Sequence, residues 1–263
     1  GYQEGINSNA GTLTVSKKAL TVGAGDIGDV TITYGDVFDV DATGATVTFT
    51  GKVSGDTVSV PVSVVSPTYS TSNNLEAGTY SQITGDTNDL TGDDAGNYTL
   101  TATTEANSLT VSPKSITYSI TAGSITYGAS HTPGAVTYAT LETGDDVSAT
   151  AQIDNVLLST ANKIKAGTYT QSLNGTHGGD DVANYTITLD TANDYVVAKK
   201  ALSVDNIASV TTTYGDSVSA GSVTFSNTET GDDVSVTASI VSPTSSTSNN
   251  LEAGTYSQIT GDT

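Results

Sequence analysis

Short runs in which apolar and polar residues take turns recur along the whole chain. Val30-Thr31-Ile32-Thr33-Tyr34, Thr46-Val47-Thr48-Phe49-Thr50 and Thr57-Val58-Ser59-Val60 are clear examples in the first third. A period of two sends one set of side chains to a buried face and leaves Thr and Ser on the other, as in half-buried strands. Nothing comparable keeps the 3.6-residue period of an amphipathic helix. Asn73-Asn74-Leu75-Glu76-Ala77 has a hint of helical composition, but it is too short to stand alone and Gly78 cuts it off. Between the runs lie Gly-Asp, Gly-Asp-Asp and Asn-Gly pairs, which supply positive φ and side-chain hydrogen bonds to the turn backbone. Short strands punctuated this regularly predict an all-β fold of antiparallel sheets in sandwich or grasp-like units.

The pattern repeats on a longer scale. Tyr34-Gly35-Asp36 returns as Tyr127-Gly128-Ala129 and Tyr214-Gly215-Asp216. Gly55-Asp56-Thr57-Val58 returns as Gly144-Asp145-Asp146-Val147 and Gly231-Asp232-Asp233-Val234, and Ala77-Gly78-Thr79-Tyr80 as Ala166-Gly167-Thr168-Tyr169 and Ala253-Gly254-Thr255-Tyr256. Ser66–Thr87 reappears as Ser242–Thr263 with one change, Tyr69 to Ser245. Internal repetition of this length is the mark of tandem units. It divides the chain into repeats of about 87–96 residues: 17–113, 114–198 and an incomplete 199–263. Residues 1–16 match the closing strand of a repeat, with Tyr2 aligned to Tyr98 and Leu13-Thr14-Val15-Ser16 to Leu109-Thr110-Val111-Ser112. The ends thus fall inside repeats. We expect either an excerpt of a longer covalent array or a subunit whose first strand completes the last repeat of a neighbour. No Pro- or Ser-rich spacer separates the repeats, so an elongated, fairly stiff rod is expected.

Composition narrows the function. The 28 acidic residues outnumber 8 basic ones, all lysine, for a formal charge of −20. Nucleic acid and anionic membrane surfaces both require a cationic patch, so neither is an expected partner. Membrane insertion is not expected either, because no apolar stretch approaches the length of a helical span. The chain has no cysteine, hence no disulfide, thiolate metal site or thiol nucleophile.

Candidates for chemistry are few. His131 and His177 lie in non-equivalent loops of one repeat, and neither has a second His or a Cys at ligand spacing. They read as surface loop residues, and no catalytic set or cofactor site emerges. The carboxylates make a stronger case, since Ca²⁺ is bound by clustered loop oxygens. The best cluster is Asp86, Asn88, Asp89, Asp93 and Asp94 around Leu90-Thr91-Gly92; the matching stretch of the second repeat carries Asn174, His177, Asp180 and Asp181. Plain solvated turn residues are the competing reading. Asn97-Tyr98-Thr99, Asn174-Gly175-Thr176 and Asn184-Tyr185-Thr186 fit the N-glycosylation pattern, while Tyr98 and Tyr185 read more simply as core aromatics of a closing strand.

At the Tyr-Gly-Asp turn, the Gly-Asp-Asp-Val and Ala-Gly-Thr-Tyr strands and the closing Gly92-Asp93-Asp94-Ala95-Gly96-Asn97-Tyr98-Thr99, the chain resembles the MBG/YDG-type tandem β repeats of large bacterial, filamentous-haemagglutinin-like adhesins. The resemblance covers essentially the whole chain, although the second repeat has Ala129 for the turn Asp and Val182-Ala183 before Asn184-Tyr185. It implies a secreted, extracellular or surface-attached spacer in adhesion or biofilm matrix. Its partners would be neighbouring repeats or like subunits head to tail, with extracellular polysaccharide reached through other parts of the parent protein. It implies no catalytic residue. A self-assembling filament subunit joined by strand donation and a calcium- or glycan-binding adhesive module are the alternatives.

Overall fold

The computed structural model describes residues 1–2 and 11–261. The expected strand over 1–16 therefore lies partly outside the described residues. The chain is all-β and forms two compact units. Residues 1–118, 138–149 and 176–190 make the first, and residues 119–137, 150–175 and 191–263 the second.

In chain order the strands are β1 (Lys18–Leu20), β2 (Val30–Thr33), β3 (Val62–Val64), β4 (Gly78–Thr84), β5 (Tyr98–Leu100) and β6 (Thr104–Ser112). They continue with β7 (Lys114–Ile120), β8 (Gly123–Thr126), β9 (Val136–Ala139), β10 (Ala151–Ile153), β11 (Gly167–Tyr169) and β12 (Gln171–Leu173). The last six are β13 (Tyr185–Ala192), β14 (Tyr195–Ala198), β15 (Val204–Ile207), β16 (Val223–Phe225), β17 (Ala238–Ile240) and β18 (Gln258–Thr260). Two single 3₁₀ turns, Ala95–Asn97 and Val182–Asn184, lead directly into β5 and β13. Val182-Ala183 thus makes the same turn as Ala95-Gly96.

In the first unit the main sheet has the order β2-β6-β4-β3. β6 is its centre, parallel to β2 and antiparallel to β4. β1 and β5 form a second, parallel pair. In the second unit β14 is likewise parallel to β8 and antiparallel to β11. The pairs β10-β12, β15-β16 and β17-β18 are antiparallel. A further sheet has the order β13-β7-β9. The sheets are mixed, which corrects the antiparallel expectation. β2 and β6 are far apart in sequence with the β3-β4 hairpin between them, a connection long enough to bring two strands side by side in the same direction.

Alternating runs also pair less than their pattern suggests. Val30–Thr33 is a true strand, whereas Val47 and Thr50 make only isolated bridges to Ile27 and Thr21, and Ser59 only one to Thr91. The alternation still fixes burial. Val58, Val60 and Val62 join Leu20, Ile27, Tyr98 and Leu100 in one core. A second core of the first unit gathers Tyr34, Val64, Leu109 and Val111 with Ile116, Val147 and Tyr185. Each such buried side chain contributes about 1.5–3 kcal/mol relative to exposure. In the second unit Ile164, Tyr169, Tyr195 and Val197 form the corresponding cluster.

A glutamine recurs beside these sheets, buried at 82 and 171 and half-buried at 258. Gln82 Nε2 donates to the backbone oxygen and the hydroxyl of Ser108, each at 3.0 Å, at the point where the β4-β6 register shifts. Gln171 donates to Thr121 and Asn193 oxygens and accepts from Gly134 N. Gln258 accepts from Gly221 N and donates to Ala208 O. An amide with both a donor and an acceptor end satisfies loop backbone groups that the short ladders leave unpaired.

Candidate functional site: the tyrosine–aspartate junctions

The second core of the first unit is where segment 17–113 meets segment 114–198. Tyr34 directly follows β2 and is 1% exposed. Its hydroxyl donates to Asp145 Oδ2 at 2.5 Å, with Ser70 Oγ at 2.7 Å and Ser72 Oγ at 3.3 Å. Tyr185 donates to the same Asp145 oxygen at 2.5 Å and accepts from Glu142 N at 3.0 Å. The two rings meet edge to face, 5.3 Å between centroids. Burial first, and then the Asp145 carboxylate, pushes both phenols above the ordinary tyrosine value. The neutral O–H is the form that can donate, so the site selects it.

Around this centre the contacts run from one segment to the next. Asp181, almost fully buried, accepts the Thr71 hydroxyl, Thr71 N at 3.1 Å and Asp146 N at 2.7 Å. Burial alone would raise its carboxyl, but these donors hold it below the ordinary range. Asn184 accepts from Ala77 N at 2.8 Å. Lys114 pairs with Glu142. Gly35 has φ +86°, and a Cβ there would stand 2.5 Å from Glu142 Oε1. Only glycine tolerates both the backbone and the close approach of that carboxylate.

The second unit repeats part of these contacts at matching positions. Tyr127 donates to Asp232 at 2.5 Å, and its hydroxyl lies 2.6 Å from Ser159 Oγ. Ala161 N donates to Asp232 Oδ1 at 3.3 Å. Lys200 pairs with Glu229 at 2.5 Å, and a Cβ on Gly128 would collide with Glu229. Asp232 is held below the usual carboxylate range, chiefly by the Tyr127 hydrogen bond. Two different stretches of sequence therefore build one arrangement: a tyrosine and a Ser-Thr turn from one segment, a Gly-Asp loop and a Lys–Glu pair from the next.

Three of the four carboxylates proposed for calcium accept backbone hydrogen bonds. Asp89 accepts from Asp86 N at 2.9 Å, Asp86 from Asn88 N at 2.7 Å, and Asp94 from Thr57 N at 2.8 Å. Asp94 occupies the position matched by Asp181. Among the described residues no group of three or more His, Cys, Asp or Glu side chains is placed to hold a metal ion. Asn184, one of the glycosylation-pattern asparagines, is buried with its carbonyl oxygen in use.

His131 lies exposed on a loop, but His177 is half-buried rather than a surface residue. Tyr118 and Tyr138 meet its ring edge to face at 4.8 and 5.6 Å, and its Nδ1 lies 2.9 Å from the Tyr138 hydroxyl. Burial lowers its pKa from 6.5. A histidine whose folded pKa is depressed stabilises the neutral form, so its contribution is full above pH 6.5 and is lost as pH falls below that value, where the unfolded chain takes up the proton first. The urea midpoint should therefore fall between neutral and mildly acidic pH, and His177→Phe should flatten that fall. An identical pH dependence in the variant would remove His177 as its source.

Comparison of the chain with protein-family models, with curated proteins and with solved structures finds no match. Among the described residues no helix is long and apolar enough to cross a membrane.

Proposed function

We propose that the chain is a length of extracellular stalk or filament, a structural part of a cell-surface or biofilm-matrix adhesin with no catalysis of its own. The observation that carries this reading is the duplicated junction. Asp145 accepts from Tyr34 and Asp232 from Tyr127, so each carboxylate fastens its own segment to the preceding one. A spacer has this requirement, because force or flow applied at its ends is felt at the boundaries between its parts. The surface suits the same role: a charge of −20 keeps neighbouring molecules apart and hydrated. The MBG/YDG-type motifs agree with an adhesin parent, whose ligand would then be bound elsewhere.

Small-angle scattering of the monomer tests the reading. The longest strand, β6, has 9 residues and at 3.3 Å each spans about 30 Å, so three segments in line should give a maximum dimension of about 90 Å. A compact particle of ordinary globular dimensions would overturn it.

A further inference from the structure

In the first unit β2 stands early in segment 17–113, and β6 is the strand by which the chain leaves that segment. The two lie side by side and parallel, with Val30 opposite Leu109, Thr31 opposite Thr110, Ile32 opposite Val111 and Thr33 opposite Ser112. Tyr34 N adds one more bond, to Ser112 O at 2.8 Å. Because both strands run the same way, the incoming end of β2 and the outgoing end of β6 lie at opposite ends of one ladder. In a hairpin the strands are antiparallel, and those two ends lie together.

This difference decides how tension acts. A pull on the chain before Val30 and after Ser112 slides β2 and β6 along each other. Every bond of the ladder is then stretched at once, and all must give within about 3 Å, the length of one bond. A pull on the same end of both strands opens them one pair at a time, and each opened pair lets out about 7 Å of chain from the two strands together. The same bonds are broken over a much longer path, so the force needed is lower.

The ladder is also kept from water. Leu109 and Val111 are 0% and 2% exposed, and β4 closes the other side of β6, with Tyr80 opposite Leu109 and Gly78 opposite Val111. A stretched bond in such surroundings finds no water to replace it. The second unit builds the same arrangement from other residues. β8 and β14 are parallel from Gly123 and Tyr195 to Thr126 and Ala198, β11 closes the other side of β14, and Tyr127 N reaches Ala198 O at 2.8 Å. Tyr195 and Val197 are 1% and 2% exposed. Of the facing pairs only Ile32 with Val111 is kept unchanged, as Ile125 with Val197, so the topology is preserved where most of the side chains are not.

We propose that these two parallel ladders are mechanical clamps, which share tension along the chain among all their bonds at once. This rests on the stalk reading above and adds to it the strands that resist extension.

Force spectroscopy on the full chain tests it, with maleimide-linked handles on cysteines introduced into a chain that has none. Asp29→Cys holds the start of β2 in both arms. Combined with Pro113→Cys it loads the β2-β6 ladder lengthwise, and combined with Ala106→Cys it peels β2, an edge strand, from one end. All three positions are exposed, so both double variants should keep the wild-type urea midpoint. At one pulling speed the lengthwise arm should rupture at about three times the force of the peeling arm or more. The second unit gives an independent reading of the same contrast, with Ala122→Cys combined with Lys199→Cys or with Asp194→Cys, all exposed positions beside β8 and β14. Equal forces in the two arms, or a higher force on peeling, would overturn the clamp. The stalk reading fails on a different result, a compact monomer in scattering, which leaves these forces unchanged.

Discussion

Replacing Asp145 by alanine is expected to destabilise the first unit by about 3 kcal/mol, since hydrogen bonds to a charged group contribute about 1.5–3 kcal/mol each and two phenols lose their acceptor at once. Tyr34 and Tyr185 both donate to one oxygen of that carboxylate, and no other acceptor replaces it for Tyr185, whose hydroxyl otherwise only accepts from Glu142 N. Asp145→Asn keeps an acceptor oxygen without the charge and should fall between. Urea denaturation at neutral pH gives the answer directly: the midpoint moves while the slope stays constant. Alkaline titration supplies a second signature. The folded phenols sit above 10.0, so their contribution is complete below pH 10.0 and is lost as pH rises through the folded values. With Asp145 gone that loss should become shallower. A midpoint unchanged in Asp145→Ala would mean that the junction adds nothing to the fold.

Leu109→Ala should cost a comparable or larger amount, about 3–4 kcal/mol, because it opens a cavity at the centre of the best-formed sheet. Leu109 is fully enclosed between Val30 and Tyr80. Leu13→Ala, in the identical tetrapeptide, should change the stability of the separated chain by no more than about 0.5 kcal/mol, since its side chain stands in solvent. Thermal or urea melts at low protein concentration compare the two. Equal costs would mean that Leu13 is packed in solution.

The contrast between these leucines shows where sequence reading stops. Alternation told which residues of 30–34 and 57–60 face a core, and Tyr98 and Tyr185 are buried as their strand pattern indicated. It could not tell that 46–50 would make bridges in place of a ladder, because a side-chain period records facing and not hydrogen-bond partners. Nor could it give the parallel pairing of β2 with β6, which depends on a connection of many residues. Asn73 was part of the one helix-like stretch, yet it takes φ 62°, as Asn162 takes 57° and Asn249 58°, and turns the chain before Leu75 bridges back to Tyr69. Asparagine tolerates that left-handed geometry better than most residues. The acidic positions were legible as turn formers and ambiguous as ligands. The decisive partner of Asp145 lies 111 residues away, at Tyr34, and no local spacing encodes such a pair. One signal was available: the same Tyr-Gly and Gly-Asp elements recur together, which points to a shared task.

Each segment carries both halves of the junction, the tyrosine and Ser-Thr turn at one face and the Gly-Asp loop at the other. A gene encoding such segments can gain or lose a whole one by unequal recombination, and every boundary still receives a complementary pair. Exchange that breaks a segment out of phase leaves a phenol or a carboxylate buried without its mate.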